Sequence, residues 1–388
     1  MSSKFHIATE EEVLAGKVTD VYFERTRQIL QAENADKPVV AEFVVKSFPK
    51  DLQWGVFAGL EEAAEILKTL PVKVWALPEG TIFRANEPVL IIEGNYLDFG
   101  RFETSLLGLI CQASGIATQA ARCRIVAEHR PLFSFGARRM HPVIGPMIER
   151  NAYIGGCDGV ATIQSAELIG IEPTGTVPHA LVLILGDTLK TMQAFDHHID
   201  AKVARVCLID TFADEKFESI RIAEALGEKL FAIRLDTPGS RRGNLLQIMK
   251  EIRWELDIRG HKEVKLFVSG GLDSNTISEY NEVADAYGVG TSLSSARVLD
   301  YSMDLVEIGG QLLAKRGKAS GRKSLFRCEK CLHSQITPAS TDSLQCQKCG
   351  HAMHSMLTLA WDGQNWLQPK RSAQEIRADV LKQLPFIA

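Results

Sequence analysis

Residues 204–235 read Ala204-Arg-Val-Cys-Leu-Ile-Asp-Thr-Phe-Ala-Asp-Glu-Lys-Phe-Glu-Ser-Ile-Arg-Ile-Ala-Glu-Ala-Leu-Gly-Glu-Lys-Leu-Phe-Ala-Ile-Arg-Leu235. An apolar, β-rich run over 204–209 stops at Asp210-Thr211. Glu218–Leu226 has helical composition, and a second apolar run over 230–235 stops at Asp236. Strand, helix, strand is the order of a crossover unit, whose two strands run parallel. The alternation extends both ways: Leu132-Phe-Ser-Phe135, Gly159-Val-Ala-Thr-Ile163, Val264-Lys-Leu-Phe-Val268 and Val289-Gly-Thr291 read as further strands, and Asn275–Tyr287 as a further helix. A spacing of about 25 to 30 residues is that of βα units. Six such runs plus the segment Gly175-Thr-Val-Pro-His179 suggest a barrel rather than an open sheet, although the count alone does not decide.

The flanks have a different rhythm. Before residue 116, Asp20 stands where it can cap a helix, and Glu61–Lys68 is helical in composition. Val72–Leu77, Thr81–Phe83 and Pro88–Glu93 read as short strands, with a helix over Leu97–Leu109. Past residue 300 come the basic connector Ala314–Lys323, a cysteine cluster, Met356–Trp361 and an amphipathic helix over Ser372–Leu384. The expected division is an α+β N-terminal domain over 1–115, completed by 301–325 and 355–388. An α/β barrel follows over 116–300, and a small ribbon over 326–354. No repeat of 20 to 50 residues is visible.

Composition narrows the function classes. With 388 residues, 45% hydrophobic and 24% charged, the chain is ordinary for a globular protein. A net charge of −4 gives no case for general nucleic-acid binding. No apolar run reaches the roughly 18 residues of a membrane span. The opening Met1-Ser-Ser-Lys-Phe-His-Ile-Ala-Thr lacks the apolar core of a signal peptide. The expected location is the cytoplasm.

Eight cysteines form two groups. Cys111, Cys123, Cys157 and Cys207 are scattered among apolar residues, as buried thiols are. Cys328-x2-Cys331 and Cys346-x2-Cys349, with fourteen residues between the pairs, form two knuckles that can give four thiolates to one tetrahedral Zn2+. All four positions are taken by cysteine, leaving none for water, so the expected metal is structural. A zinc-ribbon adaptor for nucleic acid or protein is the reading from another class, and only Lys330 and Lys348 in the knuckles support it.

In a barrel, function gathers where strands end. Those ends are polar throughout: Arg138 and Arg139 after the strand at 132, Asp158 before 159, His179 after Gly175, then Asp210, Asp236, Ser269-Gly-Gly271 and Gly288-Val-Gly-Thr291. Singly, each has a bland reading. Asp210 and Asp236 could cap helices, His179 could be a structural histidine, and the arginines ordinary ion-pair partners. Together they describe anion handling. Glycine turns bring backbone amides to a phosphate, carboxylates hold ribose hydroxyls or Mg2+, and guanidinium groups clamp carboxylate or diphosphate. The implied ligands are a sugar phosphate and a small aromatic acid. Lys265, the one lysine inside a core strand, raises the alternative of a Schiff-base aldolase or a barrel oxidoreductase, with nothing nearby to activate it.

Thr19-Asp-Val-Tyr22, Phe135-Gly-Ala-Arg-Arg139 with His141-Pro142, Gly175-Thr-Val-Pro-His179, Asp210-Thr, Arg234-Leu-Asp236, Ser269-Gly-Gly271 and Gly288-Val-Gly-Thr291 together resemble nicotinate phosphoribosyltransferase, within the type II phosphoribosyltransferases. The cysteine ribbon resembles a shorter, zinc-bearing branch of that family. The resemblance implies an irregular (β/α) barrel with an α+β N-terminal domain and a C-terminal zinc ribbon. It also implies transfer of phosphoribose from phosphoribosyl pyrophosphate to nicotinate, in NAD salvage, with Mg2+ and with ATP as a possible co-substrate. Carried over, Arg138 touches nicotinate and the reacting centre, beside Phe135, and Arg139 lies near pyrophosphate. Asp210 and Asp236 hold ribose or Mg2+, Arg234 lies near the diphosphate, Thr176 is a further substrate-binding residue, and Ser269, Gly270, Gly271, Gly288, Gly290 and Thr291 cradle the 5′-phosphate. His179 aligns with the histidine that ATP phosphorylates. Tyr22 reaches in from a neighbouring subunit, because the family shares its sites across a homodimer. Asp158 resembles the aspartate by which nicotinamide-specific relatives accept from an amide. Pro178 replaces the alanine common before the histidine. Nicotinamide phosphoribosyltransferase is therefore the first alternative and quinolinate phosphoribosyltransferase the second.

Overall fold

The computed structural model describes residues 4–49, 52–237 and 239–387. Met1–Ser3 of the opening segment and Pro238, two residues after Asp236 in sequence, lie outside them. The chain divides into two compact units, one formed by Met1–Thr118 with Arg297–Ala388, the other by Gln119–Ala296.

The first unit is built on a six-stranded antiparallel sheet. Its strands are ordered Gln311–Leu312, Tyr301–Ile308, Pro38–Val45, Pro88–Asn95, Lys73–Ala76 and Thr358–Trp361. Pro38–Val45 is buried along nearly its whole length, as expected of a strand with neighbours on both sides. Its one charged residue, Glu42, is held by Lys323 Nζ at 2.7 Å. Thr81–Phe83 was expected to add a strand to this module; Ile82–Phe83 instead pairs with Gly55–Val56 in a separate two-stranded ladder. Leu60–Leu67 turns Leu60, Ala63, Ile66 and Leu67 into the core. Asp20 does occupy the N-cap position of the helix Val21–Ala32, but its carboxylate accepts from Thr104 Oγ1 at 2.7 Å rather than from the helix. The last helix, Ala373–Gln383, opens with a Ser372–Glu375 capping box that satisfies two otherwise orphaned backbone donors.

The cysteine segment forms a four-stranded antiparallel sheet, ordered Ser334–Pro338, Lys323–Cys328, Ala352–Ser355, Leu344–Gln345. Each Cys-x2-Cys pair stands in the turn between two of its strands. No described helix is long and apolar enough to cross a membrane.

The second unit carries six parallel strands, ordered Gly159–Val160, Leu132–Ser134, Ala286–Val289, Lys265–Ser269, Ala232–Leu235, Val206–Leu208. The segment at 175 forms no strand. It still reaches from one edge strand to the strand next to the other edge: Thr174 N–H donates to the Val160 carbonyl at 2.8 Å, and Thr176 Oγ1 accepts from Arg234 Nη1 at 2.5 Å. The result is a barrel irregular at this seam. Its interior is lined by alternate residues, since side chains along a strand point to opposite faces. Val206, Ala232 and Phe267 pack with Phe133, Phe135 and Ala286.

The helix expected over Asn275–Tyr287 ends at Tyr280. Tyr287 belongs to the strand Ala286–Val289, fully buried, with its hydroxyl donating to Asn281 Oδ1 at 2.7 Å. The strand expected over Val289–Thr291 therefore starts earlier, at Ala286, where the small Ala286 and Gly288 do not announce it by hydrophobicity, and Thr291 opens a helical turn instead. Ile163, expected within a strand, instead opens the helix Ile163–Ile169, which Thr162 caps.

Candidate active site

Arg234 is the hub of the strand-end cluster. It extends from the strand Ala232–Leu235, with Nη2 3.0 Å from Asp236 Oδ2, Nε donating to Ser269 Oγ at 2.9 Å and Nη1 to Thr176. Ser269 Oγ in turn donates to Asp236 Oδ1 at 2.9 Å. The guanidinium carbon lies 5.6 Å from the centroid of the Phe135 ring, within reach of a cation–π contact. Burial pulls the Arg234 pKa down. Asp236 and Asp210 oppose that, and the positive charge of Arg138 adds to it. Two guanidinium groups in each other's field make a place where an anion relieves repulsion on both.

His179 opens the helix His179–Leu185, its Nδ1 3.0 Å from Thr211 Oγ1. Its Nε2 faces two carboxylates, at 3.8 Å from Asp210 Oδ1 and 3.9 Å from Asp236 Oδ2. Asp210 is unusual. Its side chain is 1% exposed, and neither carboxylate oxygen has a hydrogen-bond partner among the described residues. Burial pushes its carboxyl pKa up, against the pull of His179. An orphaned buried carboxylate is costly and is kept where a ligand completes it.

The bland reading of the two aspartates fails on geometry. The helix Glu215–Leu226 is capped by Asp214 rather than Asp210, and the Asp236 carboxylate is taken by Arg234 and Ser269.

The glycine turns are set by close approach. Gly270 and Gly271 take positive φ of 88° and 71°, a conformation that glycine adopts freely. A Cβ on Gly270 would come within 2.9 Å of Asp236 Oδ1. Gly288 passes under the Phe135 ring, where a Cβ would drive into it. Gly290 stands at the N-cap of the turn Thr291–Ser294. Thr291 is exposed.

Arg138 and Arg139 lie in the single 3₁₀ turn Ala137–Arg139 and are both exposed. Asp158 does not join the cluster. It precedes its strand, level with Leu132, where Oδ2 accepts from the Leu132 amide at 2.8 Å and meets Arg124 Nη2 at 2.5 Å. That is the opposite end of the strands from Arg234 and Ser269, so its carboxylate ties strand starts together. Tyr22 stands in the first unit, on the helix Val21–Ala32, 55% exposed.

Sequence reasoning missed Glu149. Fully buried in the helix Gly145–Ile154, it accepts from the amides of Ala161 and Thr162 at 2.9 and 3.0 Å and from Thr162 Oγ1 at 2.7 Å, holding the turn after Gly159–Val160. Nothing local marks it; a single glutamate among polar helix residues is indistinguishable from a solvated one. Thr211 was read only as the neighbour of Asp210, and its bond to His179 appears in three dimensions alone.

The four cysteine sulfurs lie within 4.8 Å of one another, with Cys328–Cys349 at 3.4 Å and Cys331–Cys346 at 3.5 Å. A tetrahedral ion with metal–sulfur bonds of about 2.3 Å needs edges near this length. Burial works against ionising Cys328, yet the backbone N–H groups of Cys331 and Lys330 hold its thiol down to about 6. The cluster can hold a metal ion.

Comparison with known proteins agrees with this geometry. Residues 20–114 match the family described as quinolinate phosphoribosyl transferase, N-terminal domain, and residues 116–304 its C-terminal domain. A nicotinate phosphoribosyltransferase of Mycobacterium tuberculosis H37Rv is 29% identical over 351 residues, covering 80% of this chain and 74% of its own. The nicotinate phosphoribosyltransferase of Bacillus subtilis is 27% identical, covering 67% and 59%. Among solved structures, nicotinate-nucleotide pyrophosphorylase from Pyrococcus furiosus has a TM-score of 0.97 at 49% identity, covering 100% of both chains. Human nicotinic acid phosphoribosyltransferase, at 20% identity and a TM-score of 0.75 over 95% of this chain and 93% of its own, shares the fold.

Proposed function

The chain belongs to the type II phosphoribosyltransferases, and from that membership we propose that it transfers the phosphoribosyl group of phosphoribosyl pyrophosphate to nicotinate, giving nicotinate mononucleotide and pyrophosphate. The observation that carries the reading is Arg234, its guanidinium carbon 5.6 Å from the centroid of the Phe135 ring and in the electrostatic field of Arg138. An aromatic carboxylate answers both features: its ring packs on Phe135, and its charge relieves the two guanidinium groups. The amide alternative rested on Asp158, and that carboxylate is occupied by Arg124 and the Leu132 amide.

In this reading the leaving pyrophosphate lies by Arg139 and Arg138, and the 5′-phosphate in the turns Ser269-Gly270-Gly271 and Gly288-Val-Gly290-Thr291. As the bond to pyrophosphate lengthens, positive charge grows on the sugar. The buried carboxylate of Asp210 and the half-buried one of Asp236 stabilise that charge and orient the ribose hydroxyls, so catalysis comes from alignment and fixed charge. Asp210, whose oxygens lack protein partners, also fits Mg2+ held through water, an ion that supplies charge neutralisation for the diphosphate. Where ATP drives the reaction, His179 takes the phosphoryl group at Nε2, while Thr211 fixes the ring through Nδ1. The four cysteines hold a structural Zn2+. Tyr22 serves the site of a second copy in a homodimer.

The test is a product assay with nicotinate, nicotinamide and quinolinate, each with phosphoribosyl pyrophosphate, with and without ATP. Nicotinate alone should be turned over, and Arg138→Ala should lower that turnover by about a hundredfold or more while the fold and bound zinc persist. Turnover of quinolinate with release of CO2, or full activity in Arg138→Ala, would overturn the assignment.

A further inference from the structure

The barrel is not filled from end to end. Below the Arg234 cluster, Phe267 packs between Phe135 above and Phe133 below, with ring centroids 5.9 and 5.6 Å apart. Beneath this aromatic floor, at the starts of the strands, the inward positions shrink to Val206, Ala232 and Ala286, and a cavity of about 800 Å³ opens. A barrel core is normally closed by layers of bulky side chains. Here one layer is nearly missing.

Lys265 takes the remaining place in that layer. It alternates with Phe267 and Ser269 on the inward face of the strand Lys265–Ser269, lines the cavity, is half-buried and has no ion pair among the described residues. The acids around the cavity are engaged or outside. Asp285 accepts from the Leu266 amide at 2.8 Å, Glu282 pairs with Lys250 at 2.7 Å, and Glu172 is exposed at the rim. Arg130 spends its guanidinium on Glu128 and on the carbonyls of Ala284 and Asn281. Lys202, the other lysine of the lining, is exposed, so among the described residues Lys265 is the half-buried ammonium that the cavity sets against two aromatic rings and small apolar walls.

We propose that this N-terminal mouth of the barrel is a second small-molecule site, for a planar aromatic carboxylate whose ring lies on Phe133 and Phe267 and whose charge meets Lys265. Pockets of this volume with mostly apolar walls and one placed charge are the usual form of ligand sites. The proposal is independent of which base is turned over at the strand ends. The two sites share walls: Phe267 lies under Phe135, and Thr176, which lines the cavity, accepts from Arg234.

The test is calorimetric titration of the full chain with 2-naphthoate, which has no pyridine nitrogen to be glycosylated. Wild type and Arg138→Ala should bind it alike. Lys265→Met and the cavity-filling Ala286→Leu should each weaken binding at least about tenfold, a loss near 1.4 kcal/mol, with kcat for nicotinate unchanged. If Lys265→Met does not fold, Ala286→Leu decides. Absence of binding to wild type, or binding lost in Arg138→Ala and kept in the two cavity variants, refutes the site.

Discussion

Asp210→Asn should make the protein more stable and much less active. The wild-type carboxyl is buried, neither oxygen is bonded within the described residues, and burial has pushed its pKa up. Leaving such a group unpaired costs about 2 kcal/mol, partly offset by His179. For a unit of this size each kcal/mol moves Tm by about 2–4 °C, so with about half of that cost left to regain, because of His179 and the buried amide, the variant should melt about 2–4 °C higher near pH 8. The pH dependence has a fixed sign. A carboxyl whose folded pKa is raised binds its proton more tightly when folded, so its cost is full above that raised value. The cost shrinks as pH falls toward the unfolded value of about 3.9. The variant's advantage should therefore narrow on acidification. Turnover of nicotinate should fall by about 10² to 10³, the usual loss on removing a preorganised charge. Calorimetric melts of both proteins across that pH range, paired with initial rates, measure both effects. An unchanged or lower Tm together with retained activity would refute the view that Asp210 is kept at a stability cost for a ligand.

Gly288→Ala sets a methyl group into the Phe135 ring; overpacking of this kind costs about 1–3 kcal/mol, and KM for the base should rise more than kcat falls, as steady-state rates will tell. Cys346→Ser removes one of four clustered sulfurs, so metal content by atomic absorption should drop from about one ion per chain to near zero. Protease should then cut first within 323–355, and uniform protection there would speak against a structural metal.

The parallel strands were legible because βα units announce themselves through apolar runs punctuated by polar ends, and Asp210, Asp236 and Ser269 could be named from those ends alone. Asp158 looked equivalent in sequence, but it stands before a strand instead of after one, and a one-residue question of strand direction decides which end of a barrel a side chain serves. The strands Pro38–Val45 and Tyr301–Ile308 were not foreseen. They pair with each other across the whole intervening chain, a relation that no local pattern encodes. Glycine and alanine in Ala286–Val289 set the expected strand too late, at Val289–Thr291, for the reason that they matter: their smallness makes room for Phe135 and for the cavity below.

The pairing of Pro38–Val45 with Tyr301–Ile308 also orders events on the ribosome. Synthesis at about 5–20 residues per second delivers the whole of Gln119–Ala296 while the earlier sheet still presents two bare edges, along Val39–Val45 and along Val74–Ala76. The second unit has all six of its strands in hand before the first has its closing ones. A nascent chain stalled just short of residue 301 should thus hold a finished barrel beside an unfinished, adhesive sheet, and it is there that a chaperone has something to grip.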